Sequence, residues 1–136
     1  MREIRQLIDI LNKYTIPESV VAYRYTHKRD LRWFFLGQRL RPGMRFTDNG
    51  FFSTSLVRSS LDGFRKEYKR NCLLKIYLPK GIHGIYISLK GTNSVLCEQE
   101  LLLQRGTEFE ITKIHYFRWP MVIECKANIK PNLDKV

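Results

Sequence analysis

Short runs of β-branched and aromatic residues, separated by turn residues, constrain this chain's fold more than anything else in it. Val20 to Thr26, Phe51 to Leu56, Cys72 to Leu78, Gly84 to Leu89 and Glu98 to Leu103 each read as a strand. Another strand begins at Phe109 and extends toward Phe117, and Met121 to Lys126 alternates imperfectly as a last one. Between them stand Arg41-Pro42-Gly43, Asp48-Asn49-Gly50, Pro79-Lys80-Gly81 and Arg105-Gly106-Thr107, all with turn chemistry. Ile4, Leu7, Ile8 and Leu11 recur at helical spacing and predict an amphipathic helix over 3–14, with Pro17 ending it. Leu31, Phe34 and Phe35 suit a short helix within 30–40. Leu61, Phe64 and Tyr68 give another stripe, which Gly63 weakens. The strands do not alternate with helices as βαβ units. The pattern predicts one α+β domain over 1–136, with two antiparallel or mixed sheets and few helices.

Charge limits the partners. Lys and Arg number 24 against 13 Asp and Glu, a formal +11. Arg24 to Arg45 holds seven basic residues against Asp30, and Arg58 to Lys75 holds six against Asp62 and Glu67. Such a surface suits nucleic acid, an anionic membrane, an acidic protein or a dinucleotide diphosphate, and it also fits a solvated face with no partner. No apolar run is long enough to cross a bilayer, and no secretory signal pattern opens the chain. The expected setting is cytoplasmic, an effector exported without a cleaved signal, or a domain of something longer. Cys72, Cys97 and Cys125 are odd in number and widely spaced. Neither a disulfide framework nor a zinc site is expected. No GxGxxG turn follows a strand, so a dehydrogenase-type dinucleotide fingerprint is absent.

Three polar elements interrupt apolar strands: Arg24, the Ser53-Thr54-Ser55 run, and Glu98 with Glu100. Each has an ordinary explanation as a solvent-facing residue. The two glutamates are two apart, so strand periodicity puts both carboxylates on one face, with Gln99 on the other. Paired carboxylates also serve glycosidases, but those acids flank a sugar bond from opposite sides.

Taken in order, these elements resemble the ADP-ribosyltransferases of bacterial toxin type, including the enzymatic components of clostridial binary toxins and the Rho-modifying exoenzymes. The resemblance rests on Tyr23-Arg24, then Gly50-Phe51-Phe52-Ser53-Thr54-Ser55, then Glu98-Gln99-Glu100. Leu78-Pro79-Lys80-Gly81 with Gly84-Ile85-Tyr86-Ile87, and Leu101 to Leu103 with Arg105-Gly106-Thr107, resemble the family's connecting and closing segments. It covers roughly residues 20 to 115. Two departures stand out. Only residues 1–19 precede the Arg strand, where the family has a longer helical region, and Gly91 to Cys97 lacks the aromatic residue often found before Glu-x-Glu.

The resemblance implies a fold of two facing mixed or antiparallel sheets around an NAD cleft. It implies transfer of ADP-ribose from NAD+ to a macromolecular acceptor, with release of nicotinamide and no metal. Arg24, beside Tyr23, would hold the diphosphate; Ser53 would orient the catalytic acid; Thr54 and Ser55 would support the strand and the nicotinamide side of the pocket. Phe64 would stack on nicotinamide, or serve as a core residue beside Leu61 and Tyr68. Glu100 would be the catalytic glutamate and Glu98 would act on the acceptor, with Asn93 and Ser94 as the polar residues of the acceptor loop. Glu at the first position of Glu-x-Glu goes with arginine acceptors, so a protein arginine is the first expectation. Arg24, Ser53 and Glu100 are expected to meet in one cleft from three strands, bordered by the basic segments. The rival readings are an NAD glycohydrolase, an enzyme modifying nucleic acid, and a non-catalytic basic module that binds nucleic acid by phosphate contacts and stacking.

Overall fold

The computed structural model describes residues 2–27, 29–31, 35–56, 72–87, 100–118 and 120–129. Helix α1 (Arg2–Lys13) is amphipathic, and it buries Leu11 completely while Ile4 and Ile10 stay exposed. Side chains from the sheet fasten its carbonyls. The His83 Nδ1–H lies 3.0 Å from the Leu11 carbonyl and 3.2 Å from that of Tyr14, and Gln104 Nε2 donates to Ile8 at 3.0 Å. The last four carbonyls of a helix have no intrahelical donor, so the His83 contact caps Leu11, while the Gln104 bond to Ile8 adds a second tie between the helix and the residues flanking the strands. Residues 29–31 are helical; the short helix expected within 30–40 falls partly outside the described residues, and residues 35–37 form a turn in which Leu36 and Gly37 take positive φ.

Among the described residues eight strands follow: β1 (Val20–Thr26), β2 (Arg45–Thr47), β3 (Phe52–Ser55), β4 (Cys72–Leu78), β5 (Gly84–Ile87), β6 (Glu100–Leu103), β7 (Glu108–His115) and β8 (Met121–Asn128). Their hydrogen-bonded order is β2-β7-β8-β4-β1-β3-β6-β5. Only β4 and β8 run parallel, so the sheet is mixed. Its two halves, β2-β7-β8-β4-β1 and β3-β6-β5, are joined through one registered pair, Tyr23 opposite Ser55. The two sheets expected from the sequence are thus continuous at that pair.

The halves also face one another. In a flat sheet β3 and β7 would lie about 19 Å apart, four strand spacings. The rings of Phe52 on β3 and Phe109 on β7 are instead 4.7 Å apart between centroids. Phe46 stacks on Phe109 at 5.3 Å and meets Phe35 edge-on at 5.8 Å. The sheet therefore folds over this aromatic cluster, with Ala22, Leu74, Ile76, Leu101, Leu103 and Ile123 completing the core. Cys72 and Cys125 are buried thiols in the same core. Burial, with smaller contributions from Cys72 and Glu124, pushes the Cys125 thiol up to about 12, so it behaves as an apolar residue at neutral pH.

On the other face of β4, β7 and β8, Glu124 gathers polar partners. His115 Nε2 lies 2.7 Å from one carboxylate oxygen, and the Tyr77 hydroxyl donates to the other at 3.0 Å. The His115 hydrogen bond, then that of Tyr77, holds the Glu124 carboxyl below its usual range against the opposing effect of burial. A carboxyl depressed in the folded state contributes stability above its unfolded pKa, roughly 4.3, and loses it as pH falls through the folded value. Glu124→Gln is therefore expected to lower the urea midpoint at pH 6 and to lower it much less at pH 3. An equal deficit at both pH values would show that the charge of Glu124 contributes nothing.

Candidate active site

Antiparallel pairing builds the site. Strands β3 and β6 align Phe52 with Leu103, Ser53 with Leu102, Thr54 with Leu101 and Ser55 with Glu100. Alternation sends Phe52 and Thr54 into the core and puts Ser53 and Ser55 on the opposite face, where Glu100 stands across from Ser55. Ser53 and Glu100 are diagonal neighbours on that face, within reach of polar side chains. The Ser53 hydroxyl donates a hydrogen bond to the Glu100 carboxylate. Ser53 is exposed and Glu100 half-buried, so the pair meets solvent while its backbone is fixed by two ladders, β6 with β3 and β6 with β5.

Thr54 has a different task. It is 3% exposed, and its hydroxyl donates to the Leu101 carbonyl at 2.8 Å. That bond ties β3 to β6 beneath the Ser53–Glu100 pair. It leaves Thr54 tied to the neighbouring strand from within the core.

Arg24 comes from the neighbouring strand β1. Its guanidinium carbon lies 4.2 Å from the centroid of the Phe52 ring, the residue before Ser53. Cation–π stacking occupies the flat face of a guanidinium, whereas its N–H groups point outward in the plane. Alternation puts Arg24 on the Ala22 and Phe52 side of β1, and Tyr23 on the Ser55 and Glu100 side. Among the described residues no register beyond the Tyr23–Ser55 pair joins β1 to β3, and Arg24 lies where the two halves of the sheet part. The three residues stand on three adjacent strands, with Ser53 and Glu100 in direct contact on one face and Arg24 stacked on Phe52 on the other, so the expected meeting of all three is seen only for Ser53 and Glu100.

The register also assembles a row that sequence reasoning missed. Glu100, Ser55, Tyr23, Lys75 and Glu124 stand side by side across β6, β3, β1, β4 and β8. Lys75 was detectable as the one charged residue in the apolar Cys72–Leu78 strand. The part of Phe52 as a platform for Arg24 has no sequence signal beyond its place before Ser53. Glu98, Asn93, Ser94, Phe64 and the basic residues of 58–71 lie outside the described residues. Among the described residues no cluster of His, Cys, Asp and Glu is arranged to hold a metal ion, and no helix is long and apolar enough to cross a membrane.

Known proteins resemble the chain in both sequence and fold. The family model described as ADP-ribosyltransferase exoenzyme matches residues 1–128. The epidermal cell differentiation inhibitor of Staphylococcus aureus is 28% identical over 132 residues, covering 82% of this chain and 53% of that protein. The chain thus spans about half the length of the curated relative it matches. Among solved structures, C3stau2 from S. aureus with NAD is 26% identical with a TM-score of 0.71, over 95% of this chain and 71% of that one. C3larvin, an ADP-ribosyltransferase toxin from Paenibacillus larvae, shares the fold at 23% identity with a TM-score of 0.68, over 94% and 70% of the two chains.

Proposed function

Because the chain belongs to the ADP-ribosyltransferase exoenzyme family, we propose that it cleaves NAD+ and transfers ADP-ribose to a protein acceptor, with an arginine side chain as the receiving group. The observation that carries this reading is the hydrogen bond from Ser53 to Glu100. A carboxylate held in one orientation on a rigid strand pair is suited to a centre where positive charge develops. The residues also fit NAD as substrate. A guanidinium stacked on Phe52 offers in-plane donors to a diphosphate, in a geometry that lysine would copy poorly.

The chemistry follows from these parts. The bond between the ribose C1 carbon and the nicotinamide nitrogen breaks, and its electron pair leaves with neutral nicotinamide. Glu100 faces the positive charge that grows on the sugar and stabilises it more than it stabilises the ground state. Ser53 keeps that carboxylate aimed. The acceptor nitrogen forms the new bond to C1 and gives up a proton. An arginine is protonated at neutral pH and is a poor nucleophile until it is oriented and loses that proton, the role we assign to Glu98.

The test is a pair of rates on one variant. Incubation with labelled NAD+ and a cell lysate, followed by mass spectrometry, identifies the acceptor. Nicotinamide release and acceptor labelling are then measured for Glu98→Gln. Labelling is expected to fall by roughly 10² while release without acceptor falls less than about tenfold, because water needs less activation than arginine. Equal loss of both rates would assign Glu98 to NAD cleavage and remove the reason for an arginine acceptor. Undiminished labelling would leave it an ordinary strand residue.

A further inference from the structure

Two neighbouring turns carry bulky apolar side chains that the fold does not bury. Leu36 is 91% exposed and Phe117 is 105% exposed. The hydroxyl of Tyr116 donates to the Leu40 carbonyl at 3.0 Å and ties the two turns together. One turn lies in the segment after β1 and the other just before β8, and the register places Thr26, Cys72 and Met121 side by side at that end of the sheet. Leu36 has φ 52°, a left-handed conformation that leucine adopts rarely and that glycine or asparagine takes readily. Neither packing nor backbone geometry therefore accounts for leucine at this position.

Basic side chains dominate the two turn segments, and Glu124, opposite Lys113 and bonded to His115, is an acid that borders them. Arg39, Arg41, Lys113 and Arg118 are exposed, and residues 35–47 and 111–118 contain no carboxylate. We propose that this end of the molecule docks on an anionic lipid membrane. Leu36 and Phe117 enter the boundary between headgroups and acyl chains, and the basic side chains meet the lipid phosphates. Protruding side chains on convex turns enter a fluid apolar layer without a matching cavity, whereas a folded partner would have to supply a pocket for each. Two apolar side chains alone bind a membrane only marginally, so the apolar and basic parts are both needed.

Flotation of the full chain with vesicles tests this. It is expected to float with phosphatidylcholine vesicles containing about 30 mol% phosphatidylserine, to stay behind with phosphatidylcholine alone, and to release in about 0.5 M salt. Leu36→Asn, which suits the backbone, and Phe117→Ser are each expected to weaken partition about tenfold or more. Arg39→Gln, Arg41→Gln and Arg118→Gln are each expected to weaken it several-fold. Thermal melting of each variant reports that it is folded. Failure of the folded wild-type chain to float would overturn the proposal. So would equal binding to phosphatidylcholine alone, or undiminished binding of the Leu36→Asn/Phe117→Ser double variant.

Discussion

Glu100→Gln is expected to lower nicotinamide release by roughly 10²- to 10³-fold while leaving the fold intact. The change is nearly isosteric and removes only the charge. Glu100 is half-buried at the start of β6, with Ser55 and Ile87 opposite it on the two flanking strands, so its backbone is held whatever its side chain. Glutamine still accepts a hydrogen bond from Ser53 through its amide oxygen. What it cannot do is stabilise positive charge, and loss of one preorganised electrostatic group costs about 3 kcal/mol of barrier. The loss should be the same with and without acceptor, since both reactions break the same bond. Release assays on a variant whose melting temperature is unchanged make the comparison. A loss smaller than tenfold would mean that another group supplies the charge.

Phe109→Ala is expected to destabilise the protein by about 3–5 kcal/mol, the range for removing a buried aromatic side chain. Phe109 is fully buried and contacts Phe46 on its own half of the sheet and Phe52 on the other. Removing it opens a cavity where the two halves meet, and leaves the Tyr23–Ser55 pair and the remaining aliphatic core to link them. Activity should fall along with stability, because Phe52 underlies Arg24 and precedes Ser53. Phe117→Ala is the control: its ring is fully exposed, and its effect should stay within about 0.5 kcal/mol. Denaturant midpoints of the two variants settle the matter. A loss under about 1 kcal/mol for Phe109→Ala would mean that the halves are not held together by the aromatic cluster.

Much of this architecture is legible in the sequence, for local reasons. Strands β1 and β4 have the bounds read from Val20–Thr26 and Cys72–Leu78, because dense β-branched and aromatic runs end there in turn chemistry or charge. Helix α1 lies one residue from its expected span, within ordinary uncertainty at helix ends. Strand β2 was missed, since three residues on a sheet edge have too little alternation to register. Within 30–40 the chain turns at Leu36 and Gly37, and Leu31 and Phe35, two of the three apolar residues behind the short-helix reading, pack in the core. Parallel pairing of β4 with β8 is long-range and has no local signature. Nor has the single Tyr23–Ser55 pair that makes two facing sheets continuous. At the site, strand periodicity alone put Ser53 and Glu100 on neighbouring strands with compatible faces once the pairing is known. The placement of Arg24 against Phe52 depends on how the two halves part, which no short motif encodes.

The measurement that tests the central claim most directly is a double-mutant cycle on Ser53 and Glu100, read as nicotinamide release from NAD+. Our account has the Ser53 hydroxyl acting through the Glu100 carboxylate to which it is bonded. A hydrogen bond to a charged group is worth about 1.5–3 kcal/mol, so Ser53→Ala alone should slow release by roughly 10- to 10²-fold. In the Glu100→Gln background the same substitution should cost less than about threefold, because the charge it serves is already gone. The same factor in both backgrounds would contradict the account, since Ser53 would then act independently of the carboxylate it touches.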